Sequence, residues 1–241
     1  MTRCKAVLLA AGLGTRLRPI TDSVPKCLVP INGRPLLDYW FDALRAAEIT
    51  DVLINTHHLR DQVVEFIEHK NQDGFAVQES WEPELLGSAG TIHANRNWCQ
   101  NADDCLIVYA DNLSNVNLLQ FLEFHRSHHD PFSMLLFRTD VPKSCGIATL
   151  DSEQRITEFI EKPEQPSSNL ANGGVYAVAA DAWREIADRN AFDLGFDVLP
   201  TFVNRMKGWP FDGFHLDIGS HQNLERANRE AGAAFAGQQQ V

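Results

Sequence analysis

The chain has 241 residues, 44% of them hydrophobic, so it can bury a substantial core, and its net charge is −11 at pH 7. This acidic balance argues against a nucleic acid or an anionic membrane surface as a partner. Five scattered cysteines without a Cys-x-x-Cys pair argue against a disulfide framework or a structural zinc site, and no apolar run is long enough to span a membrane. A cytoplasmic protein with reduced thiols is therefore expected.

The first 137 residues alternate between strand and helix patterns. Short apolar runs predict strands, and apolar side chains three and four residues apart predict helices. In chain order the predicted elements are a strand at 5–10, a helix at 36–47, a strand at 51–55, a helix at 59–69, a strand at 75–78, a helix at 90–97, a strand at 105–109, a helix at 118–129 and a strand at 133–137. This order predicts an α/β fold with a mostly parallel central sheet and helices on both faces.

After residue 137 the pattern changes to consecutive strands with short turns. Strands at 146–150, 155–160 and 174–178 predict a small antiparallel addition that contacts substrate. The remaining predicted elements are helices at 181–188 and 198–206, a strand at 214–217, and a helix at 220–234 with Ser220 as its cap, after which residues 237–241 are expected to fray. Because no linker or repeat interrupts these elements, a single domain over residues 1–241 is predicted.

A glycine-rich loop with nearby cations follows the first predicted strand. Gly12 and Gly14 allow backbone N–H groups to approach an anion closely, and Arg16 and Lys26 can donate charge-assisted hydrogen bonds to phosphate oxygens. The loop lacks the Gly-Lys-Ser/Thr ending of a Walker A loop. Leu17 stands where a dinucleotide-binding fingerprint requires its third glycine. The pattern therefore indicates another kind of phosphate loop and disfavours a nicotinamide cofactor.

The string Gly-Leu-Gly-Thr-Arg-Leu-Arg-Pro at 12–19, with Pro-Lys at 25–26, resembles the signature loop of the sugar-1-phosphate nucleotidylyltransferases, also called NDP-sugar pyrophosphorylases. Further segments that resemble this family are Leu-Gly-Ser-Ala-Gly at 86–90, Ala-Asp-Asn at 110–112, Glu-Lys-Pro at 161–163, Asn-Gly-Gly-Val-Tyr at 172–176 and Leu-Asp-Ile-Gly-Ser at 216–220. The resemblance covers nearly the whole chain and implies a Rossmann-like nucleotidyltransferase fold.

The resemblance also implies a role for each matching residue. The implied residues are Arg16 and Lys26 for catalysis, Ala11, Gly12, Gly14, Thr15 and Gly87 for the nucleotide, Glu161, Lys162, Asn172 and Gly173 for the sugar phosphate, and Asp111 and Asp217 for Mg²⁺. Ala110 departs from the glycine that the family has before its metal-binding aspartate, a difference of one methyl group.

Glu79, at the end of the predicted strand at 75–78, is a candidate contact for the nucleobase on chemical grounds. A carboxylate there can accept two hydrogen bonds from the N1–H and the exocyclic amine of guanine, a pair of donors that thymine and uracil lack. This argument favours a guanine nucleotide. An exposed glutamate at a strand end is the alternative interpretation.

The implied reaction converts an NTP and a sugar-1-phosphate to an NDP-sugar and pyrophosphate with Mg²⁺. The segment at 86–90 and Glu79 favour GTP with mannose- or heptose-1-phosphate. Uridylyl or thymidylyl transfer to a glucose- or N-acetylmuramic-type 1-phosphate is the alternative, and a non-catalytic regulatory paralogue that binds an NDP-sugar is the alternative of another class. The segment after Asp217 is too short for the β-helix that some members carry, so control by such a domain is not expected. The oligomeric state is left open.

Overall fold

The computed structural model describes residues 3–236, so the fraying predicted for 237–241 lies outside the described residues. The strands are β1 (Cys4–Leu9), β2 (Pro30–Ile31), β3 (Arg34–Pro35), β4 (Asp51–Thr56), β5 (Ala76–Trp81), β6 (Asp104–Tyr109), β7 (Asn112–Ser114), β8 (Phe132–Arg138), β9 (Gly146–Leu150), β10 (Ile156–Glu161), β11 (Leu170–Ala179), β12 (Met206–Pro210) and β13 (His215–Asp217). The helices are α1 (Leu36–Ala46), α2 (Arg60–Gln72), α3 (Gly87–Ala94), α4 (Leu118–Arg126), α5 (Ala180–Asp188) and α6 (His221–Ala234).

The described residues divide into two compact units. Unit 1 contains residues 3–5, 86–108 and 120–212, and unit 2 contains residues 6–85, 109–119 and 213–236. A single domain over residues 1–241 stays a prediction. No helix among residues 3–236 is both long enough and apolar enough to cross a bilayer.

Unit 2 contains the parallel strands that the sequence predicts. β4 pairs in parallel with β1, where Leu8 lies opposite Ile54, and also with β5. Helix α1 begins directly after Pro35 and buries the predicted apolar face, including Trp40 and Phe41. Proline suits this boundary because its fixed φ and missing N–H are tolerated only at the start of a helix. These elements confirm the βαβ prediction for this part of the chain.

The last helix belongs to the same unit and begins as predicted. The Ser220 side chain caps α6 by accepting a hydrogen bond from the Asn223 backbone N–H at 3.2 Å. The helix buries Ala227 and Ala231, and the Phe235 ring after its end meets the Tyr39 ring of α1 edge to face at 4.8 Å between centroids. The segment at the end of α6 therefore packs against α1.

Unit 1 is built around the long strand β11, which pairs antiparallel with β6, β8 and β9, while β9 also pairs antiparallel with β10. The expected antiparallel addition and the α/β class are confirmed. The predicted helix at 198–206 is wrong: a π-helical turn at Leu194–Val198, a 3₁₀ turn at Leu199–Phe202 and the strand β12 occupy this region. The apolar residues here are spaced like those of a helix face and are buried, but they lie in two short turns and in β12, which pairs in parallel with β8.

Candidate active site

A buried pair of polar side chains, Asn55 and Glu82, fixes the backbone of the glycine-rich loop by hydrogen bonds. The Oδ1 atom of Asn55, at the end of β4, accepts hydrogen bonds from the backbone N–H groups of Ala10 at 2.6 Å and Ala11 at 3.3 Å. The Asn55 amide donates in turn to Glu82 Oε1 at 2.9 Å, and both side chains are buried. Neither residue is predicted from the sequence, where the only signal is a polar residue that ends an apolar strand.

The two loop glycines meet different surroundings. Gly14 has a φ of +62°, and a Cβ atom there would lie 2.8 Å from Thr21 Cγ2, so this position requires glycine. A Cβ atom on Gly12 would meet nothing within 4 Å, which leaves open space beside the loop. Leu17 is fully buried and anchors the turn that carries the exposed side chain of Arg16. The cation is thus exposed on a turn that is fixed to the core.

A short antiparallel pair of strands brings the two predicted metal ligands together. Strand β13 pairs with β7 so that Asp217 lies opposite Asn112, the residue after Asp111. The Ile218 backbone N–H also donates to the Asp111 carbonyl oxygen at 3.0 Å. The sequence pattern does not predict β7, so from the sequence the proximity of the two aspartates follows only from the family resemblance.

Lys26 lies between these two carboxylates. Its Nζ atom is 2.6 Å from Asp111 Oδ2 and 3.4 Å from Asp217 Oδ1, and the residue is only 6% exposed. Arg16 Nη2 is 3.8 Å from Asp217 Oδ2. A Cβ atom on Gly219 would lie 2.7 Å from Arg16 Nη2 and 2.7 Å from Asp217 Oδ2, so a side chain there would separate this pair. We call Arg16, Lys26, Asp111 and Asp217 the Lys26 cluster.

The Lys26 cluster concentrates charge of both signs. Partial burial and the neighbouring Asp111 raise the pKa of the Asp217 carboxyl, and the positive charges of Lys26 and Arg16 oppose that rise. Two carboxylates that share one ammonium group between them offer the oxygen donors that a hard divalent cation prefers. No group of three or more potential metal-ligating side chains occurs among residues 3–236, so substrate or water oxygens would have to complete such a site.

The predicted sugar-phosphate residues lie in unit 1. Glu161 ends β10, and Lys162 follows with a left-handed φ of +49°. A Cβ atom on Gly195 would lie 2.8 Å from Glu161 Oε2, and Gly146 approaches the same oxygen. Burial raises the pKa of Glu161, with a smaller contribution from Asp193 in the same direction and an opposing one from Lys162. Two positions without side chains therefore enclose this carboxylate.

Asn172 is tied to its own strand. Its amide donates to the Tyr176 hydroxyl at 2.7 Å, and its Oδ1 atom accepts from the Gly174 backbone N–H at 2.9 Å. The register of β11 against β8 shifts between Asn172 and Tyr176, and Gly173 lies within this irregularity. The roles implied for Asn172 and Gly173 stay predictions.

Gly87 and Glu79, predicted for the nucleotide, both lie close to other residues of the protein. Gly87 has a φ of +75°, and a Cβ atom there would clash with the Phe192 carbonyl oxygen. Both oxygens of Glu79 accept from Arg60, at 2.7 Å from Nε and 2.8 Å from Nη2, and Thr56 donates to it as well. These hydrogen bonds, that of Arg60 above all, lower the pKa of Glu79. A base that donated hydrogen bonds to both oxygens of Glu79 would compete there with Arg60 and Thr56.

Comparison with known proteins decides the family. Residues 5–233 match the family described as nucleotidyl transferase. The chain belongs to that family. A Sulfolobus acidocaldarius protein, provisionally named a mannose-1-phosphate guanyltransferase, is 28% identical to the chain over 228 residues, which cover 93% of the chain and 62% of the relative. The UTP–glucose-1-phosphate uridylyltransferase of Synechocystis is 28% identical over 229 residues, which cover 89% of the chain and 58% of the relative.

A solved structure supports the same assignment. The Bacillus anthracis protein, provisionally named a glucose-1-phosphate thymidylyltransferase and determined in complex with sucrose, has a TM-score of 0.85 and 25% identity over 95% of both chains. The family that the sequence analysis predicted is thus confirmed. The chain spans less than two thirds of the length of the two curated relatives, 62% and 58% respectively.

Proposed function

We propose that this chain transfers a nucleotidyl group from an NTP to a sugar-1-phosphate. A phosphate oxygen of the sugar-1-phosphate attacks the α-phosphorus, the bond from that phosphorus to the bridging β-phosphate oxygen breaks, and pyrophosphate leaves. Both reactants are polyanions, so catalysis consists mainly of positioning and charge neutralisation. The observation that carries this proposal is the Lys26 cluster, where two cations and two carboxylates meet beside an open glycine-rich loop.

Each residue of the cluster then has a distinct task. Arg16 is exposed and can neutralise the β- and γ-phosphates that leave. Lys26 is buried and points at the position between the carboxylates, where it can contact the α-phosphate and the attacking oxygen. Asp111 and Asp217 would hold Mg²⁺, which supplies charge neutralisation at the α-phosphate when bound. Backbone N–H groups near Gly12 contribute hydrogen-bond donors without a side chain in the way.

The acceptor would be read by the residues of unit 1. Lys162 is exposed and can bind the sugar phosphate, while Glu161 and Asn172 offer hydrogen-bond partners to sugar hydroxyls. The partly buried Glu161 suits this task because a carboxylate in a dry environment accepts strong hydrogen bonds.

For the substrates we propose GTP with mannose- or heptose-1-phosphate. The Sulfolobus relative supports this choice by its name. Glu79 supports the choice of GTP less than the sequence suggested, because Arg60 donates a hydrogen bond to each of its carboxylate oxygens. The Synechocystis and Bacillus relatives, named for uridylyl and thymidylyl transfer to glucose-1-phosphate, support the glucose-type acceptor of the alternative.

The test is pyrophosphate release in the presence of Mg²⁺ across a grid of NTPs and sugar-1-phosphates. The grid pairs GTP, UTP, dTTP, CTP and ATP with mannose-, glucose-, galactose- and heptose-1-phosphate. Activity with GTP and a manno-configured acceptor is expected. Activity only with UTP or dTTP would overturn the proposed base. NDP-sugar binding without turnover of any pair would favour the non-catalytic regulatory paralogue.

A further inference from the structure

The turn at Leu194–Val198 in unit 1 presents an exposed aromatic side chain. Phe196 is 58% exposed, although burying such a ring is ordinarily favourable. Its neighbour Gly195 passes over the Glu161 carboxylate. The Lys162 Nζ atom lies 5.6 Å from the centroid of the Phe196 ring, within the range of a cation–π contact. The exposed ring therefore stands beside the two residues proposed to bind the acceptor.

The position of Phe196 is fixed by hydrogen bonds of the turn. Asp193 Oδ1 accepts from the Phe196 backbone N–H at 2.9 Å, and Asp197 Oδ2 accepts from the Asp193 backbone N–H at 2.8 Å. The Ser88 hydroxyl accepts from the Leu194 backbone N–H at 2.8 Å, and the side chains of Leu194 and Val198 are fully buried. The backbone from which the exposed ring projects is thus fixed by these hydrogen bonds and by the burial of Leu194 and Val198.

Among residues 3–236, Lys162 forms no ion pair with a carboxylate, although its charge acts on the neighbouring Glu161. The Lys162 backbone N–H donates to the Cys145 carbonyl oxygen at 3.0 Å. A lysine side chain has several rotatable bonds, so an unheld ammonium group loses conformational entropy when it binds an anion. A weak contact that holds the ammonium group beforehand lowers that cost without neutralising its charge.

We propose that Phe196 is a positioning residue for the acceptor: its ring holds the Lys162 ammonium group where that group meets the phosphate of the sugar-1-phosphate. This inference rests on the proposed function. A carboxylate at the same place would also hold the ammonium group but would repel the phosphate dianion. An aromatic ring attracts the cation through its quadrupole and carries no net charge to repel the substrate.

The kinetic test compares Phe196→Ala with the wild type. The KM for the sugar-1-phosphate should rise about two- to fivefold, the size of an exposed cation–π contact. The KM for the NTP should not change, and Phe196→Tyr should restore the wild-type value. Val141→Ala removes an equally exposed apolar side chain of unit 1 and is the control. An unchanged acceptor KM in Phe196→Ala would overturn the proposal.

A double-mutant cycle separates action through Lys162 from direct contact with the sugar. In the Lys162→Ala background, Phe196→Ala should cause no further rise in the acceptor KM. An undiminished rise in that background would show that the ring contacts the sugar itself and would overturn the positioning role.

A spectroscopic measurement decides the proposal even if the wild type proves inactive with every pair, an outcome that would overturn the proposed function alone. Lysines are methylated with a ¹³C label, which keeps their charge, and the Lys162 resonance is identified by its absence in Lys162→Arg. The ring should shift this resonance upfield, and inorganic phosphate should move it. The same shift and phosphate response in Phe196→Ala would overturn the proposal.

Discussion

Lys26 in unit 2 and Lys162 in unit 1 are both proposed to bind phosphate, yet their surroundings are opposite. Lys26 is buried and lies between Asp111 and Asp217, so its charge is compensated. Lys162 is exposed, and its ammonium group meets an aromatic ring. The first environment gathers charge of both signs, which suits a cation and a reacting phosphate. The second environment leaves the Lys162 ammonium group with a positive charge that can bind an anion. One residue type thus serves two tasks because its neighbours differ.

Removal of Lys26 should cause the largest effect. Lys26→Ala should lower kcat by roughly 10²-fold or more, as loss of one electrostatic stabiliser typically does. The KM for the acceptor should change much less. Steady-state kinetics at saturating concentrations of both substrates measure this effect, with circular dichroism to verify folding. A near-normal kcat would contradict the role assigned to the Lys26 cluster, and Asp111→Ala should behave like Lys26→Ala.

Removal of Lys162 should act mainly on acceptor binding. Lys162→Ala should raise the KM for the sugar-1-phosphate about ten- to hundredfold, because a charge-assisted hydrogen bond to phosphate is lost. The KM for the NTP should stay the same, and Lys162→Arg should recover part of the affinity. If Lys162→Ala instead lowered kcat as Lys26→Ala does, the contrast between the two lysines would be refuted.

A smaller effect is expected when the spacing of the Lys26 cluster changes and its charges remain. Gly219→Ala places a Cβ atom 2.7 Å from Arg16 Nη2, so the guanidinium group must move away from Asp217. Turnover should fall about tenfold, since small misplacements of catalytic groups are costly. Gly232→Ala in α6 is the control, because its Cβ would meet its nearest atom at an ordinary 3.7 Å. Equal rates for the two variants would show that the Arg16 position is unimportant.

The smallest effect concerns Glu161, the carboxylate that precedes Lys162 in the chain. Burial raises the pKa of Glu161 in the folded chain above its value in the unfolded chain, so its ionisation destabilises the fold once the pH exceeds both values. Glu161→Gln should therefore have a higher Tm than the wild type at pH 7, and the difference should vanish near pH 4. Thermal unfolding at the two pH values measures it. A Tm difference that does not depend on pH would contradict the burial assigned to the Glu161 carboxylate. In kinetic measurements, Glu161→Gln should also raise the KM for the sugar-1-phosphate.

The sequence by itself determined the features that depend on near neighbours. Proline at the start of α1, serine at the cap of α6 and the apolar periodicity of the early strands and helices are local signals, and the structure follows them. The glycine-rich loop was also recognisable, because Gly12, Gly14, Arg16 and Lys26 lie within a short stretch of chain. Family membership followed from the ordered motifs.

Tertiary structure decided what depends on residues distant in sequence. The pairing of β7 with β13 places Asp217 beside Asp111, and it joins segments that are distant in sequence, of which only the strand at 214–217 was predicted. Asn55 accepts a hydrogen bond from the backbone of the glycine-rich loop and donates one to Glu82, although these three segments are separate in sequence. Arg60 donates a hydrogen bond to the Glu79 carboxylate. The turn that carries Phe196 precedes the predicted helix at 198–206 and shares only Val198 with it. The residues after Val198 have the apolar spacing of a helix face, but they begin with a 3₁₀ turn. These outcomes depend on long-range packing and hydrogen bonds, which no local pattern encodes.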